Sequence, residues 1–354
     1  MTFIDSPRRV RSGEELDVDR LRPYVQDKLG IDLPNLEVEQ FPGGYSNLTY
    51  LLKSGDHEWV LRRPPFGSKV KRAHDMGREH LILSKLAPVC RWAPKPLVHC
   101  ADESIMGAEF YVMERIRGVI LRKSVPKGVT IDEPTARRLS ETLLDTLVEL
   151  HQLDASAIGL ADFGKPEGYV KRQVEGWTRR YADAKTDEIP EMPRIAEWLA
   201  ANIPPSPAAS IIHNDFKFDN VIYDSESFTN IIGILDWEMA TLGDPLMDLG
   251  TALCYWIEPS DHPGLQNLAF GPTTLPGMYT RAALATRYAQ ATGADLSNIV
   301  FYYVFGLFKT TVVCQQIYYR FQTGLTQDPR FAGLTEAVRL MADKAADHLH
   351  RGTI

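Results

Sequence analysis

The octapeptide HNDFKFDN, residues 213–220, sets an imidazole, a carboxylate, an ammonium and a carboxamide side by side, flanked by the apolar runs Ile211-Ile212 and Val221-Ile222-Tyr223. Apolar flanks of this kind read as short strands entering and leaving a loop, so the polar groups share one turn. Their types suit phosphoryl transfer. Asp215 can accept an alcohol proton, the amide oxygen of Asn220 can serve a hard cation, and Lys217 can stand beside a moving negative charge. An Asx-rich turn would also favour Asp and Asn here. A second segment tips the balance towards chemistry. Asn230–Leu235 reads NIIGIL, a buried strand, and Asp236 sits where it ends. A carboxylate leaving a buried strand is costly unless it is paired or bound to a metal, and magnesium takes one or two carboxylates beside phosphate oxygens and water. Asn220 and Asp236 are therefore the candidate ligands for Mg²⁺.

Further along, Gly243-Asp244-Pro245 reads as a helix start, with Asp244 as N-cap and Pro245 in the first helical position. Asp248, four residues on, is placed to brace the 213–220 loop through its backbone N–H groups, or else is a surface carboxylate. The N-terminal third carries complementary groups. Gly43, Gly44, Ser46 and Asn47 lie in a turn between two strands, where backbone N–H groups can be laid over phosphates. Arg62 and Arg63 end the strand EWVLRR, and Arg63 is expected to face solvent. Glu79 shares a helix face with Ile82, Leu83 and Leu86, so it either finds a buried partner, for which Arg62 is the natural one, or reaches the rim.

The elements that must position these groups fall into two regions. After a helix over Val18–Leu29 stopped by Gly30, the segments NLEVEQF, LTYLLKS and HEWVLRR alternate and are separated by turns, which reads as a β-meander. KRAHDMGREHLILSKL has helical periodicity and AEFYVMERI is strand-like. From about residue 118 the chain becomes helical. A long helix is expected to start near Asp132 with Pro134 in its first turn, and others near 170–180, 195–201, 280–290, 299–321 and 334–350. Residues 204–210, PPSPAAS, read as a linker. The fold class is α+β, a sheet-rich part over residues 1–114 followed by a helical part over 115–354.

Together the segments GGYSN, WVLRRPP, REHLILSKL, YVMERIRG, HNDFKFDN and ILDWEMATLGDPLMDLG resemble the aminoglycoside phosphotransferase family, in order and spacing from about Phe41 to Gly250. The resemblance is nearest to the kinase-like domain fused to some acyl-CoA dehydrogenases. It implies a bilobed protein-kinase-like fold with a small antiparallel-sheet N-lobe and a large helical C-lobe, ATP and Mg²⁺ as cofactors, and a small-molecule hydroxyl as acceptor. It implies that Asp215 is the base or orients the alcohol, that Asn220 and Asp236 hold Mg²⁺, and that Lys217 sits near the γ-phosphate. Gly43, Gly44, Ser46 and Asn47 would cover the nucleotide phosphates. Arg62 would touch the α- and β-phosphates and pair with Glu79. The backbone of Glu114 and Ile116 would read adenine. The chain departs from the family at Asn214, where a Gly is usual, and at Arg62, where many relatives carry Lys. Hydroxyacyl thioesters, sugars and amino alcohols are the acceptor classes it leaves open.

Composition narrows the remaining choices. With 354 residues, 44% hydrophobic and 24% charged, the chain has the make-up of a globular protein, and a net charge of −7 speaks against a general nucleic-acid binder. No apolar run reaches the length of a membrane helix and the first residues show no apolar signal core, so a cytoplasmic protein without a membrane partner is expected. The four cysteines show no metal spacing and are expected to be free. The sequence ADFG at 161–164 precedes the 213–220 loop and is read as a plain loop, the HLH at 348–350 as part of a fraying terminus, and His151 as a capping or packing residue. The alternative to an enzyme is a nucleotide-binding regulatory module without catalysis. A metal-dependent hydrolase built on His213, Asp215 and Asp236 lacks further clustered histidines.

Overall fold

In the computed structural model, residues 5–42, 47–66, 75–126 and 128–354 are described. The chain divides into two compact units. The first comprises Met1–Ile120, Ala157–Leu160 and Val221–Ala240, and the second Leu121–Ser156, Ala161–Asn220 and Thr241–Ile354.

The first unit opens with helix α1 (Val18–Leu29). Asp17 caps its start by accepting from Arg20 N, and Gly30, at φ 66°, ends it with an N–H to Gln26 O. An antiparallel sheet follows, made of β1 (Glu37–Gln40), β2 (Leu48–Ser54), β3 (His57–Arg63), β4 (Pro96–Cys100) and β5 (Phe110–Glu114), in the order β1-β2-β3-β5-β4. Gly55 and Asp56 form the two-residue turn between β2 and β3, with Ser54 paired to His57 and Gly55 at φ 57°. That positive φ matches the twist of a tight hairpin. Strand β4 is the one the sequence reading misses: it begins on a proline, is irregular between Pro96 and Val98, and forms the sheet edge. Leu21 and Val25 of α1 join Leu52, Leu61, Phe110 and Val112 of the sheet in one apolar core. Helix α2 (Met76–Leu86), capped by Asp75, buries Glu79 along with Ile82, Leu83 and Leu86. Short helix α3 (Glu103–Met106) precedes β5.

The second unit contains the strand β6 (Ser210–Ile212), while β7 (Val221–Tyr223) and β8 (Ile231–Ile234) pair with each other in the first unit. Strand β6 pairs with β9 (Thr241–Gly243). The remaining elements of the second unit are α4 (Glu133–His151), α5 (Tyr169–Ala184), α6 (Glu191–Ala201), α7 (Pro245–Tyr255), α8 (Pro263–Gln266), α9 (Arg281–Thr292), α10 (Ile299–Gln322) and α11 (Leu334–Arg351). Asp132 caps α4 with Pro134 in its first turn, and Asp244 caps α7 with Pro245 in the first position.

Helices α7 and α10 approach each other on two glycines. A Cβ on Gly250 would lie 2.2 Å from Tyr302 O, and one on Gly306 would lie 2.4 Å from Gly250 O. No larger residue fits that crossing. The contact sets two polar side chains beside β6: Asp248, two residues before Gly250, and Lys309, one turn after Gly306. Among the described residues no helix is long and apolar enough to cross a membrane, and all four cysteines are free, with Cys90, Cys100 and Cys254 buried.

Candidate active site

In the second unit the loop after β6 turns sharply at Asn214, which adopts φ 64°. That left-handed conformation explains why glycine suits the position and why asparagine, with its short polar side chain, can replace it. The Asn214 Oδ1 accepts from the Tyr169 hydroxyl at 3.1 Å. Asp248, fully buried, receives the N–H of His213 on Oδ2 and that of Asn214 on Oδ1, both at 2.7 Å. His151 stands behind it, with Nε2 3.1 Å from Asp248 Oδ2 and Nδ1 2.7 Å from the Tyr288 hydroxyl. Asp248 is thus the brace of the loop, and His151 is a packed, hydrogen-bonded residue of that brace.

The turn presents Asp215, whose side chain is 17% exposed. Its Oδ1 accepts from the Tyr255 hydroxyl at 2.7 Å, and its Oδ2 accepts from Asn220 Nδ2 at 2.8 Å and from Lys217 Nζ. Burial alone would raise the Asp215 carboxyl, but the charge and hydrogen bond of Lys217, joined by Lys309 and Tyr255, hold it below the usual carboxylate range. The group is therefore ionised at neutral pH and a weak base. Asn220 Nδ2 also donates to Asp215 O at 2.9 Å. With the amide nitrogen turned to Asp215, the oxygen is what Asn220 offers elsewhere, which is the atom a hard cation takes.

A half-open recess beside the loop is lined by Leu143 and Leu147 of α4, Leu253 of α7, Phe216, Phe218 and Trp256, with Lys217 and Tyr255 joining it to Asp215. None of its lining residues is acidic.

In the first unit Arg62 is buried among carboxylates. Its Nη2 donates to Asp236 Oδ1 at 2.7 Å and lies 3.8 Å from Glu238 Oε2, while Nε is 3.4 Å from Glu79 Oε2. Burial would lower the Arg62 guanidinium, but Glu79 and Asp236 hold it charged. Burial also lifts the Glu79 carboxyl above its ordinary range, with Arg62 only partly offsetting it. Asp236 is held at φ 66° before a turn that Trp237 anchors by donating from Nε1 to Ile234 O at 2.9 Å. Its side chain, 31% exposed, is the accessible carboxylate of this group. Asn47 donates to Glu238 Oε2 at 2.5 Å; Gly43, Gly44 and Ser46 lie outside the described residues. The Glu114 N–H is taken by Lys95 O at 2.9 Å, so an adenine contact from Glu114 would use its carbonyl. Ile116 packs on Gly233, where a Cβ would come within 2.9 Å of its Cδ1.

Replacing Arg62 with methionine is expected to cost about 3–5 kcal/mol of stability, because Glu79 would keep a buried charge without its counter-ion. Urea denaturation followed by tryptophan fluorescence at pH 7 measures it. A loss below about 1 kcal/mol would mean that Glu79 is neutral in the native protein.

Arg63 corrects an expectation. It is 2% exposed, donates from Nη1 to Met106 O at 3.1 Å, and stacks 3.7 Å from the Phe66 ring centroid. Strand alternation misleads here because β3 is buried on both faces from Trp59 to Arg63. The ADFG segment is a turn with Asp162 exposed; Gly164 is needed there because a Cβ would lie 2.6 Å from Thr241 Oγ1. His348 Nδ1 pairs with Thr353 O at 2.7 Å, and its ring packs edge-on to Tyr303. Tyr169, Tyr255 and Lys309 escape the sequence reading, as do Tyr288 behind His151 and Glu238 beside Arg62. Among the described residues no group of three or more His, Cys, Asp or Glu side chains could hold a metal ion.

A family model described as phosphotransferase enzyme family (APH) matches residues 37–295. Among curated proteins the chain is 32% identical over 347 residues to acyl-CoA dehydrogenase family member 10 of Mus musculus, covering 97% of this chain and 32% of that protein. It is 36% identical over 317 residues to acyl-CoA dehydrogenase family member 11 of Rattus norvegicus, covering 88% of this chain and 40% of that protein. The chain therefore spans well under half the length of these relatives. Among solved structures, a Ralstonia eutropha protein described provisionally as an aminoglycoside phosphotransferase superposes with TM-score 0.78 and 29% identity, covering 95% of this chain and 99% of the other. A ternary complex of aminoglycoside phosphotransferase APH(4)-Ia with ADP and hygromycin B superposes with TM-score 0.58 and 14% identity, covering 91% and 98%. That second likeness is one of fold. The fold is the protein-kinase-like one, with its five-stranded antiparallel sheet in the first unit and the helices α4 to α11 in the second.

Proposed function

Because this chain belongs to the phosphotransferase enzyme family, we propose that it transfers the γ-phosphoryl group of ATP to a hydroxyl of a small molecule, with Mg²⁺. The observation that carries this reading is the state of Asp215: ionised, partly exposed, and fixed by three donors on a braced turn. A carboxylate held below its usual range is a poor base before bond breaking begins. It suits a loose phosphoryl-transfer transition state, in which the acceptor hydroxyl needs orienting first and loses its proton late. Asp215 orients the hydroxyl and takes that proton. Lys217, already on Asp215 Oδ2, offers its ammonium to the transferring phosphoryl oxygens. The Arg62 guanidinium, kept charged by its carboxylates, meets nucleotide phosphate, and its tie to Glu79 fixes its direction. The Asn220 amide oxygen in the second unit and the Asp236 carboxylate in the first are each of the donor type that would serve the metal, which when bound would neutralise phosphate charge.

The recess supports an acceptor with a hydrocarbon body. Its apolar walls desolvate carbon well, and without acidic lining residues they give no hold to a polycationic sugar.

A second reading, a nucleotide-binding module without catalysis, draws on the Arg62–Asp236 bond, which occupies the carboxylate intended for the metal. Thermal shift with ATP and Mg²⁺, followed by ATP consumption against a panel of aliphatic alcohols, hydroxy acids, sugars and amino alcohols, tests both. Expected are a rise in melting temperature that requires Mg²⁺ and consumption with hydrocarbon-bodied acceptors. Stabilisation without consumption by any panel member would favour the second reading; no nucleotide effect at all would end both.

A further inference from the structure

Lys309 is 3% exposed, in the middle of α10, where every residue from Phe301 to Val312 is buried. A methionine would fill that space without the cost of taking a charge from water. The ammonium group must therefore meet polar partners that a methionine could not serve. Its Nζ donates to the carbonyl oxygen of Asn214. That carbonyl belongs to the peptide joining Asn214 to Asp215. The glycine crossing of α7 and α10 brings the donor there: Gly306 lets the helices touch, and Lys309 follows one turn later.

We propose that Lys309 is a positioning residue of the 213–220 loop: by holding the Asn214 carbonyl from inside the domain, it fixes the Asn214–Asp215 peptide and so the direction of the Asp215 carboxylate. The loop is then held through three kinds of group. Asp248 takes its two N–H groups, Tyr169 holds the Asn214 side chain, and Lys309 takes the carbonyl. A left-handed turn at a non-glycine residue is strained, and the Asn214–Asp215 peptide, with its C=O on Lys309 and its Asp215 N–H donated to His213 Nδ1 at 3.2 Å, cannot relax by flipping. Burial lowers the Lys309 ammonium while the Asp215 and Asp248 charges support it, in keeping with a cation kept for a polar task. The catalytic consequence rests on the phosphotransferase reading; the grip itself does not.

Amide hydrogen exchange on the full chain tests the grip without needing activity. In Lys309→Met the amides of His213, Asn214 and Asp215 are expected to exchange at least about tenfold faster, while those of α7 and α10 keep their wild-type rates. Wild-type exchange in the loop of that variant, or equal acceleration throughout the unit, overturns the proposal. Should the Met variant not fold, Lys309→Gln, whose shorter side chain also releases the carbonyl, is read by the same criterion. ATP turnover on the same samples separates the two claims. A fall in kcat of about tenfold or more, with the KM for ATP within about threefold, is expected if both hold. A loosened loop in a protein whose wild type never consumes ATP would remove the phosphotransferase reading and keep the positioning role.

Discussion

Asp215→Asn is expected to lower kcat for phosphoryl transfer by about 10²–10⁴-fold, the range for losing a positioned proton acceptor, with nucleotide affinity unchanged. The carboxylate meets three donors on its two oxygens, Tyr255 on one and Asn220 with Lys217 on the other. An amide has a single oxygen. Whichever way it turns, its NH₂ group faces a donor, so orientation suffers along with basicity. Because the native carboxyl is already held low by Lys217, Lys309 and Tyr255, its protonation does not limit the reaction near neutrality. Activity should therefore be flat towards mild acid and depend on the presence of the carboxylate. Nucleotide affinity should survive because Arg62, the proposed phosphate contact, is held by its own ion pairs to Glu79 and Asp236. The comparison requires ATP titration by calorimetry alongside initial rates. If the variant retains transfer within about tenfold of wild type, Asp215 is neither base nor orienting group. If ATP binding is lost as well, the proposed separation of roles between Asp215 and the Arg62 group fails.

The parts of this arrangement that were readable in sequence are the local ones. The octapeptide shows its chemistry because four functional side chains fall in a single turn. Glu79 stands out by its place on an apolar helix stripe, which leaves a buried partner or the rim as its two outcomes; the structure buries it beside Arg62. Asp248 follows from the periodicity of α7, since a residue four after the N-cap lies on the face that α7 turns to the loop. The parts that were not readable are held by distant chain. Tyr255 is 40 residues from Asp215, and Lys309 is 95 residues from Asn214. Each sits in a run whose pattern reads as core: Tyr255 at the end of an apolar helix, Lys309 within a helix buried on every side over twelve residues. A lysine in such a run signals a buried polar partner without saying which. Parity fails for Arg63 for a similar reason. Alternation assigns a face only where one side of the sheet meets water, and β3 has none over its last five residues. The glycine pair 250 and 306 is equally silent in sequence, although it decides which helix turns can reach the loop.

The second large effect belongs to the brace. Asp248→Asn is expected to lower stability by about 3–5 kcal/mol, because it breaks a fully buried charge–hydrogen-bond group while leaving its partners in place. The carboxylate accepts two backbone N–H groups and the His151 ring with two oxygens. An asparagine can satisfy one side, and its NH₂ then opposes a backbone N–H that water cannot reach. The pH dependence gives the effect a signature that simple loss of packing lacks. Burial alone would raise the Asp248 carboxyl, but the hydrogen bond and charge of His151, together with His213, hold it below the usual carboxylate range. A carboxyl lower in the folded than in the unfolded protein stabilises the fold above its unfolded pKa, near 4, and that contribution vanishes as pH falls through the lower folded value. Urea denaturation of wild type and variant should therefore show a constant gap from about pH 8 down to about pH 5 and a shrinking gap below about pH 4. Catalysis should fall with stability only in part: at temperatures where the variant is folded, the freed N–H of Asn214 would let the turn at φ 64° relax and carry Asp215 with it. A gap that stays constant into acid would show that Asp248 binds its proton equally well folded and unfolded, and a gap that widens as pH falls towards about 4 would show that it is neutral in the native protein; either outcome removes the buried carboxylate as the brace.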